Sequence, residues 1–229
     1  MGICKNQYDF VKKYAIDKIN ENINMLELGD QILNNNENFF EGFKTAKDYY
    51  TNKKYNHTSF DWNGLNGAIP VDLTNIDNKY NNKFNLITDH GTSEHVLNQY
   101  NIFKNLHNWG TINCIYIHCV PLEGEEHKQY LNYEFPPHGD FEYSSNFWEE
   151  LCIVNNYEVI KIQGNLVSNL AILFPKNFYS ASSYKKINNN EFMSKEAFDN
   201  IFNKYCKKTT NKLSREGHIE WKNSLPKDI

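Results

Sequence analysis

The sequence predicts a doubly wound α/β domain, in which a mostly parallel sheet carries helices on both faces. Short apolar runs with the length of strands alternate along the chain with segments whose apolar residues recur at helical spacing. The last two apolar runs, at 159–162 and 167–174, flank the pair Gly164-Asn165, which is typical of a tight turn between antiparallel strands. We therefore expect a seven-stranded mixed sheet that ends in an antiparallel hairpin.

The strands are predicted from apolar runs that stop at a glycine, an acidic residue or a turn. In chain order they occupy 23–28, 56–60, 67–71, 84–88, 111–120, 159–162 and 167–174. Helices are predicted where apolar residues recur every three or four positions. In chain order these patterns cover 8–19, 39–50, 96–103, 147–154 and 198–205. We expect Thr92 or Ser93 to cap the third helix, and the spacing of Asn146 and Glu149 predicts a capping box in the fourth.

The charge and composition argue against nucleic acid and membrane as partners. The net charge is −4, and Arg215 is the only arginine, so the chain lacks the basic stripe that a phosphate backbone requires. No apolar run approaches the roughly 20 residues needed to cross a bilayer. The five cysteines show no CxxC spacing, which fits reduced thiols. With a polar start that does not resemble a signal peptide, the sequence predicts a cytoplasmic protein with a small-molecule substrate.

Polar residues follow the first three predicted strands, at the edge where open α/β sheets bind ligands. Glu27, Gly29 and Gln31 end the first strand, Asp61 follows the second, and Asp72 follows the third. The glycine allows a tight turn and a close approach of the backbone to a ligand, and the carboxylates are suited to hydroxyl and amino groups. Each residue also has an ordinary structural explanation, because strand-to-loop turns and Asx turns use the same residue types.

The ends of the fourth and fifth strands are also rich in polar side chains. The run from 89 to 95 holds Asp89, His90 and His95, more polar groups than a connection requires, whereas Glu94 is explained by the dipole of a helix start alone. After the fifth strand comes a long segment rich in histidine and tyrosine. Loops of this length are usually functional or disordered, and its aromatic residues argue against disorder.

Taken in order, these residues resemble the class I S-adenosylmethionine-dependent methyltransferases. The segment 26–29, Leu-Glu-Leu-Gly, looks like their first motif, and Asp61 matches the acid that holds the cofactor ribose. Asp72 and Leu73 match the position that lines the adenine, and segment 84–89 looks like the fourth motif. A narrower run, from 89 to 157, resembles one group of methyltransferase-domain proteins whose substrates are unassigned.

The resemblance implies a Rossmann-like fold, a cofactor and a set of residues that hold it. The cofactor would be S-adenosylmethionine. The implied binding residues are Glu27, Gly29, Gln31, Asp61, Asp72, Leu73, Asp89 and His90. The methyltransferase-like domain would span 1–180, with a C-terminal helix and tail in 181–229 that pack on this domain or trail from it.

One position departs from the pattern of the family. Gln31 stands where these enzymes usually carry a second glycine, two residues after Gly29. A side chain there either crowds the amino-acid end of the cofactor or forms a hydrogen bond with it. The departure bears on cofactor affinity rather than on the fold.

The sequence leaves competing hypotheses for function. The first is a methyltransferase that acts on a polar small-molecule or sugar-like acceptor, with His138 and His118 as the catalytic histidines because imidazole titrates near neutral pH. The same histidines also suit a purely loop-stabilising role. The alternative is a catalytically inactive binding module that uses the loop 121–143 for partner contact. A third hypothesis is a metal-dependent hydrolase whose metal ligands would be His118, His127, His138 and Cys119. This hypothesis is disfavoured, since no HExxH motif or paired-cysteine spacing supports it.

Overall fold

The computed structural model of this chain describes residues 2–34, 39–123, 139–167 and 178–209. The strands are β1 (Gly2–Ile3), β2 (Asn24–Leu28), β3 (Ile32–Leu33), β4 (Asn56–Phe60), β5 (Phe84–His90), β6 (Gly110–Pro121), β7 (Phe141–Tyr143), β8 (Tyr157–Val167), β9 (Phe178–Lys186) and β10 (Cys206–Lys208). The α-helices are α1 (Lys5–Tyr14), α2 (Ala46–Asn52), α3 (Gln99–Trp109), α4 (Ser145–Asn155) and α5 (Lys195–Tyr205). The longest of these helices has 11 residues, too short for a membrane span.

Six strands form the central sheet in the order β4-β2-β5-β6-β9-β8. The first four strands run parallel, and β9 runs antiparallel to both of its neighbours. Leu28 of β2 is in register with Phe60 on one side and with Asp89 on the other, and Asp89 is in register with His118 of β6. The carboxyl ends of the four parallel strands therefore lie along one edge. The predicted α/β class and mixed sheet are confirmed.

Each face of the sheet supports its own hydrophobic core, because successive side chains of a strand point to opposite faces. Ile87 belongs to the core under α3, α4 and α5, whereas Leu86 belongs to the core under α1 and α2. The segment from β2 through α2 to β4 lies on one face, and the segment from β5 through α3 to β6 lies on the other. The direction of winding thus reverses between β2 and β5, which is where such folds bind ligands.

The third strand predicted at 67–71 is not a strand of the sheet. Only Ile69 pairs there, through a single parallel bridge with Phe60, by donating to Ser59 O and accepting from Asp61 N. Pro70 follows, and a proline has no N–H with which to continue a ladder. The described sheet therefore has six strands where the sequence predicts seven.

The first closing strand, predicted at 159–162, lies within the longer strand β8. β8 continues through Gly164 to Val167, with a shift of register between Gln163 and Leu166, so Gly164-Asn165 marks an irregularity within a strand instead of a turn. β9 begins at Phe178 and pairs antiparallel with β8. Most of the strand predicted at 167–174 lies outside the described residues. The predicted domain boundary at residue 180 stays a prediction, and β9 continues across it.

A second, two-stranded sheet covers the same edge of the central sheet. β10 pairs antiparallel with β7, and Thr209 donates from its backbone N to Asp140 O (2.8 Å) and from its hydroxyl to Gly139 O (2.5 Å). Helix α5 ends directly before β10, and Phe198 of α5 is buried in the core beside α3 and α4. The C-terminal helix and strand therefore hold the segment 139–143 in place.

Candidate functional site

The end of β2 is organised around the buried carboxyl group of Glu27. His57 on the adjacent β4 contacts it through Nε2, 2.7 Å from Glu27 Oε2, and the backbone N of Gln31 donates to Oε1 (3.1 Å). Burial raises the pKa of the Glu27 carboxyl and outweighs the opposite effect of the hydrogen bond with His57. Glu27 thus fixes the turn that follows β2 from inside the protein.

The turn after β2 requires glycine at position 29. Gly29 has φ +83°, and a Cβ there would lie 2.6 Å from both Nε2 of Gln31 and Oγ1 of Thr92. Gln31 is buried, and its Nε2 donates to Leu28 O (3.1 Å). Its amide oxygen Oε1 has no hydrogen-bond partner in the described part of the chain. A buried acceptor is therefore available beside the glycine turn.

Asp61 links the ends of the two neighbouring strands β2 and β4. Its Oδ2 accepts from Asp30 N (2.8 Å), and its Oδ1 accepts from Asn63 N (3.0 Å). The Asp30 carboxylate in turn accepts from Nδ2 of Asn66 (2.5 Å). Asp61 is only half-buried. Each carboxylate oxygen has two lone pairs, so Asp61 keeps the capacity to accept from a ligand.

Asp72 and Leu73, which the sequence places at the adenine position, lie in the loop between β4 and β5. Asp72 accepts from the backbone and hydroxyl of Thr74 (2.9 and 2.6 Å) and from Nδ2 of Asn75 (2.8 Å). These contacts are those of an exposed acid that stabilises its own loop. Leu73 is buried in the core. Their assignment to cofactor binding stays a prediction.

Asp89, at the end of β5, pairs with His118 of β6 in the interior. The distance from Asp89 Oδ2 to His118 Nδ1 is 2.9 Å, and Oδ1 accepts from the backbone N of Thr92 (3.0 Å) and Ser93 (3.2 Å). Burial acts to raise the pKa of Asp89, but the hydrogen bond and electrostatic attraction of His118, together with the hydrogen bonds of Ser93, outweigh it and hold the pKa below its usual value. The carboxylate is therefore ionised and connects β5, β6 and the turn after β5.

The second ring nitrogen of His118 lies 3.1 Å from the hydroxyl of Tyr184 on β9. The imidazole stacks on Trp148, with ring centroids 4.7 Å apart, and it is fully buried. Aromatic rings and Asp89 enclose the imidazole, and the assignment of His118 as a catalytic histidine stays a prediction.

His90 follows Asp89 and therefore points to the opposite face of the sheet. It is buried, and neither ring nitrogen has a hydrogen-bond partner among the residues described. Burial lowers the pKa of His90 to about 4, so the ring is neutral at pH 7. A neutral buried imidazole with both nitrogens free is costly and is more typical of functional sites than of a packed core.

Glu94 lies in the turn after β5 and is fully buried. Neither carboxyl oxygen accepts a hydrogen bond within the described ranges, and the ring of the half-exposed His95 stays 3.8 Å away. Burial and the negative charge of Asp89 raise the pKa of Glu94 well above its usual value. The segment 139–143 covers it, since Asp140 N donates to Glu94 O (2.9 Å) and Gly139 lies against its side chain.

Several residues of the sequence-based hypotheses fall outside the described part of the chain. His138 and His127 lie within 124–138, as does most of the loop 121–143 proposed for partner contact. Among the described residues, no group of three or more histidine, cysteine, aspartate or glutamate side chains is arranged to hold a metal ion.

Sequence reasoning missed two buried groups of this site. His57 lies on a polar strand. In the parallel register of β2 and β4, Glu27 is opposite Ser59, two residues after His57. The proximity of His57 to Glu27 can therefore be predicted only once this pairing is known. Glu94 has the sequence position of an ordinary first-turn acid. Its burial depends on Gly139 and Asp140, which are distant in sequence.

Comparison with known proteins places the fold among the methyltransferases. No family model matches the chain, and no curated protein matches it. A candidate S-adenosylmethionine-dependent methyltransferase from Listeria monocytogenes is 10% identical with a TM-score of 0.53, over 79% of this chain and 96% of its own. TehB from Haemophilus influenzae is 16% identical with a TM-score of 0.52, over 80% of this chain and 67% of its own.

A third similar structure contains ligands. The 1,6-didemethyltoxoflavin-N1-methyltransferase from Burkholderia thailandensis, with 1,6-didemethyltoxoflavin and S-adenosylhomocysteine bound, is 11% identical with a TM-score of 0.50. The match covers 80% of this chain and 87% of that enzyme. At these identities the similarity shows the fold alone, a Rossmann-like fold of the class I methyltransferase type.

Proposed function

We propose that this chain is an S-adenosylmethionine-dependent methyltransferase that acts on a polar small-molecule acceptor. The observation that carries the proposal is the position of Asp61. Its carboxylate follows β4 and accepts from Asp30 N in the turn after β2, directly beside the point where the winding of the sheet reverses. That is the place where doubly wound folds hold ribose with an acidic side chain.

The residues at the end of β2 fit the amino-acid end of this cofactor. The buried Oε1 of Gln31 lacks a partner in the described structure, and an ammonium group is a donor that would satisfy it. Leu28 O already accepts from Nε2 of Gln31 and from Oγ1 of Thr92. Gln31 would thus supply, from its side chain, an acceptor for the cofactor's ammonium group.

The loop after β4 fits an aromatic base. Trp62 follows Asp61 and is 37% exposed, and Ile69, which forms the bridge with Phe60, is exposed to the same extent. Partly exposed large apolar side chains beside a ribose-binding acid are suited to cover an adenine ring. Asp72 and Leu73 follow in the same connection and remain candidates for the rim of this subsite.

The bound cofactor would supply an electrophilic methyl group. Asp89 would hold the turn 92–93 in position from the end of β5, and His118, packed between Trp148 and Tyr184, would hold Asp89. His138, outside the described residues, is the proposed base that accepts the acceptor's proton. A small-molecule acceptor is favoured by analogy with the similar B. thailandensis enzyme, which has 1,6-didemethyltoxoflavin bound.

Calorimetry with S-adenosylhomocysteine tests the proposal. We expect the full chain to bind it, and Asp61→Ala to weaken binding by about tenfold or more, the loss typical of a hydrogen bond to a charged group. Asp199→Ala, which removes an exposed acid of α5 that pairs with Lys195, is the matched control and should bind as the unmodified chain does. His138→Ala should weaken binding less than Asp61→Ala.

An intact fold without binding would refute the proposal and favour the catalytically inactive module. In that case, deletion of residues 124–140 followed by a pull-down tests whether the loop contacts a partner. If every partner still binds the shortened chain, the loop is not the docking surface.

A further inference from the structure

The buried polar atoms without partners are concentrated near the end of β5 and in the segment that covers it. Both oxygens of Glu94 and Oδ2 of Asp140 are buried, and none of the three has a hydrogen-bond partner in the described ranges. A buried polar atom without a partner is destabilising, because it has lost its hydrogen bonds to water. Several in one place indicate a site that is completed by a ligand.

Glu94 and Asp140 are neighbours through their backbones. Asp140 N donates to Glu94 O (2.9 Å), so the backbone of the covering segment is joined to the turn that carries Glu94. Gly139 makes room for the Glu94 side chain, because a Cβ at position 139 would lie 2.5 Å from Glu94 Cγ. Thr209 fixes this segment from the other side by its bonds to Gly139 and Asp140.

The chemistry of the free atoms restricts the ligand. Carboxylate oxygens accept hydrogen bonds, and even a protonated Glu94 offers a single donor. The ionised Asp89 lies close enough to act on Glu94 electrostatically. No lysine or arginine in the described ranges forms an ion pair with Asp89, Glu94 or Asp140. The nearby basic rings are those of His118, which pairs with Asp89, and His95, which lies 3.8 Å from Glu94 Oε1. An anionic ligand would therefore meet three acidic side chains, whereas an ammonium group would be attracted and hydrogen-bonded.

We propose that Glu94 and Asp140 form the subsite for the acceptor and that the acceptor is an amine, bound as its ammonium form between the two carboxyl groups. This inference rests on the proposed function, because it names the acceptor class of the same site. It excludes acceptors whose reacting end is a carboxylate or a phosphate. On binding, the Glu94 carboxyl loses its proton to solvent and is left as a carboxylate paired with the ammonium group. Before methyl transfer the ammonium group gives one proton back to the Glu94 carboxylate, which leaves the neutral nitrogen with the lone pair needed to accept the methyl group.

Calorimetry with benzylamine and benzoate, which have similar shape and opposite charge, tests the proposal on the full chain. We expect benzylamine to bind at least about tenfold more tightly than benzoate, the difference expected of a charge-assisted hydrogen bond. Glu94→Gln should remove this preference, and Asp140→Asn should weaken benzylamine about threefold. Glu149→Gln, an exposed residue of α4, is the control and should leave the preference unchanged.

The outcomes separate this inference from the proposed function, because S-adenosylhomocysteine is titrated into the same samples. If S-adenosylhomocysteine binds and the two probes bind equally, the amine subsite is overturned and the methyltransferase proposal stands. The same holds if S-adenosylhomocysteine binds and the preference for benzylamine survives in Glu94→Gln. Benzylamine binding that requires Glu94, without any binding of S-adenosylhomocysteine, keeps the subsite and overturns the methyltransferase. If Glu94→Gln does not fold, Asp140→Asn decides, and an unchanged preference in that variant counts against the proposal.

Discussion

Nδ1 of His118 lies 2.9 Å from Oδ2 of Asp89, and both side chains are fully buried between the ends of two parallel strands. The contact joins β5 to β6 at the level where the candidate site begins. The other carboxylate oxygen of Asp89 holds the backbone of Thr92 and Ser93. The pair therefore stabilises both the sheet and the turn that carries Glu94.

Removal of the charge of Asp89 should be strongly destabilising. In Asp89→Asn the amide can still accept from Thr92 and Ser93, but the attraction to His118 is lost. We expect the free energy of unfolding to fall by about 1.5–3 kcal/mol, as when a buried hydrogen bond to a charged group is lost. Urea unfolding measures the change, and Asp199→Asn, whose ion pair with Lys195 is exposed, should change it by less than about 1 kcal/mol. Equal losses in the two variants would show that the buried contact is not stabilising.

Gln31 offers a test of the departure from the family pattern. We expect Gln31→Leu, which has similar size and no acceptor, to weaken S-adenosylhomocysteine about tenfold, because the ammonium group would lose its buried partner. Gln31→Glu keeps an acceptor at the same place and should bind at least as tightly as the unmodified chain. Calorimetry measures both. If Gln31→Leu binds normally and Gln31→Gly binds more tightly, the side chain only crowds the site.

Two glycines with nearly the same backbone conformation, Gly139 and Gly42, allow a test of how closely residue 139 packs against Glu94. Gly139 has φ +89° and Gly42 has φ +86°, but a Cβ at position 42 would meet no atom within 4 Å. Both alanine variants therefore carry the cost of a positive φ, about 1–2 kcal/mol. Gly139→Ala should cost more by urea unfolding, since its Cβ also displaces Glu94, and it should weaken benzylamine binding. Identical stability losses in Gly139→Ala and Gly42→Ala would contradict the close contact.

The parallel strands were predictable because their signal is local. β4 was predicted with the bounds it has, and the bounds of β2, β5 and β6 differ from the prediction by two residues at most. The third strand was not distinguishable from a loop by apolarity alone. Only Pro70, which cannot donate to a ladder, indicated that pairing stops after Ile69.

The start of α3 shows how a competing local hydrogen bond displaces a predicted cap. Thr92 and Ser93 have the right residue type for an N-cap, but their backbone N–H groups are bonded to Asp89. A single 3-10 turn forms there, and α3 begins at Gln99 with Asn98 as its cap. The site was predictable as a set of strand ends. Which of its acids are buried without partners depends on segment 139–143, whose position no local pattern reveals.

The pH dependence of stability provides a test of the buried, neutral state of His90. Burial lowers its pKa from 6.5 to about 4, so between these values the unfolded chain binds more protons at this position than the folded chain. Stability from His90 is therefore fully present above pH 6.5 and is lost as the pH falls to 4. The loss reaches about 3 kcal/mol for a shift of this size.

His90→Phe, which keeps an aromatic ring and does not titrate, isolates the contribution of His90 to this dependence. Glu94 contributes to the pH dependence of stability with the opposite sign, because its raised carboxyl pKa lowers the free energy of unfolding as the pH rises above about 4.5. Since Glu94 is present in both proteins, its contribution cancels in their difference. We expect the free energies of unfolding to diverge steadily from pH 6.5 down to pH 4, with His90→Phe the more stable at low pH. Urea unfolding at a series of pH values measures the difference, and parallel curves would mean that His90 is accessible to solvent or paired in the folded chain.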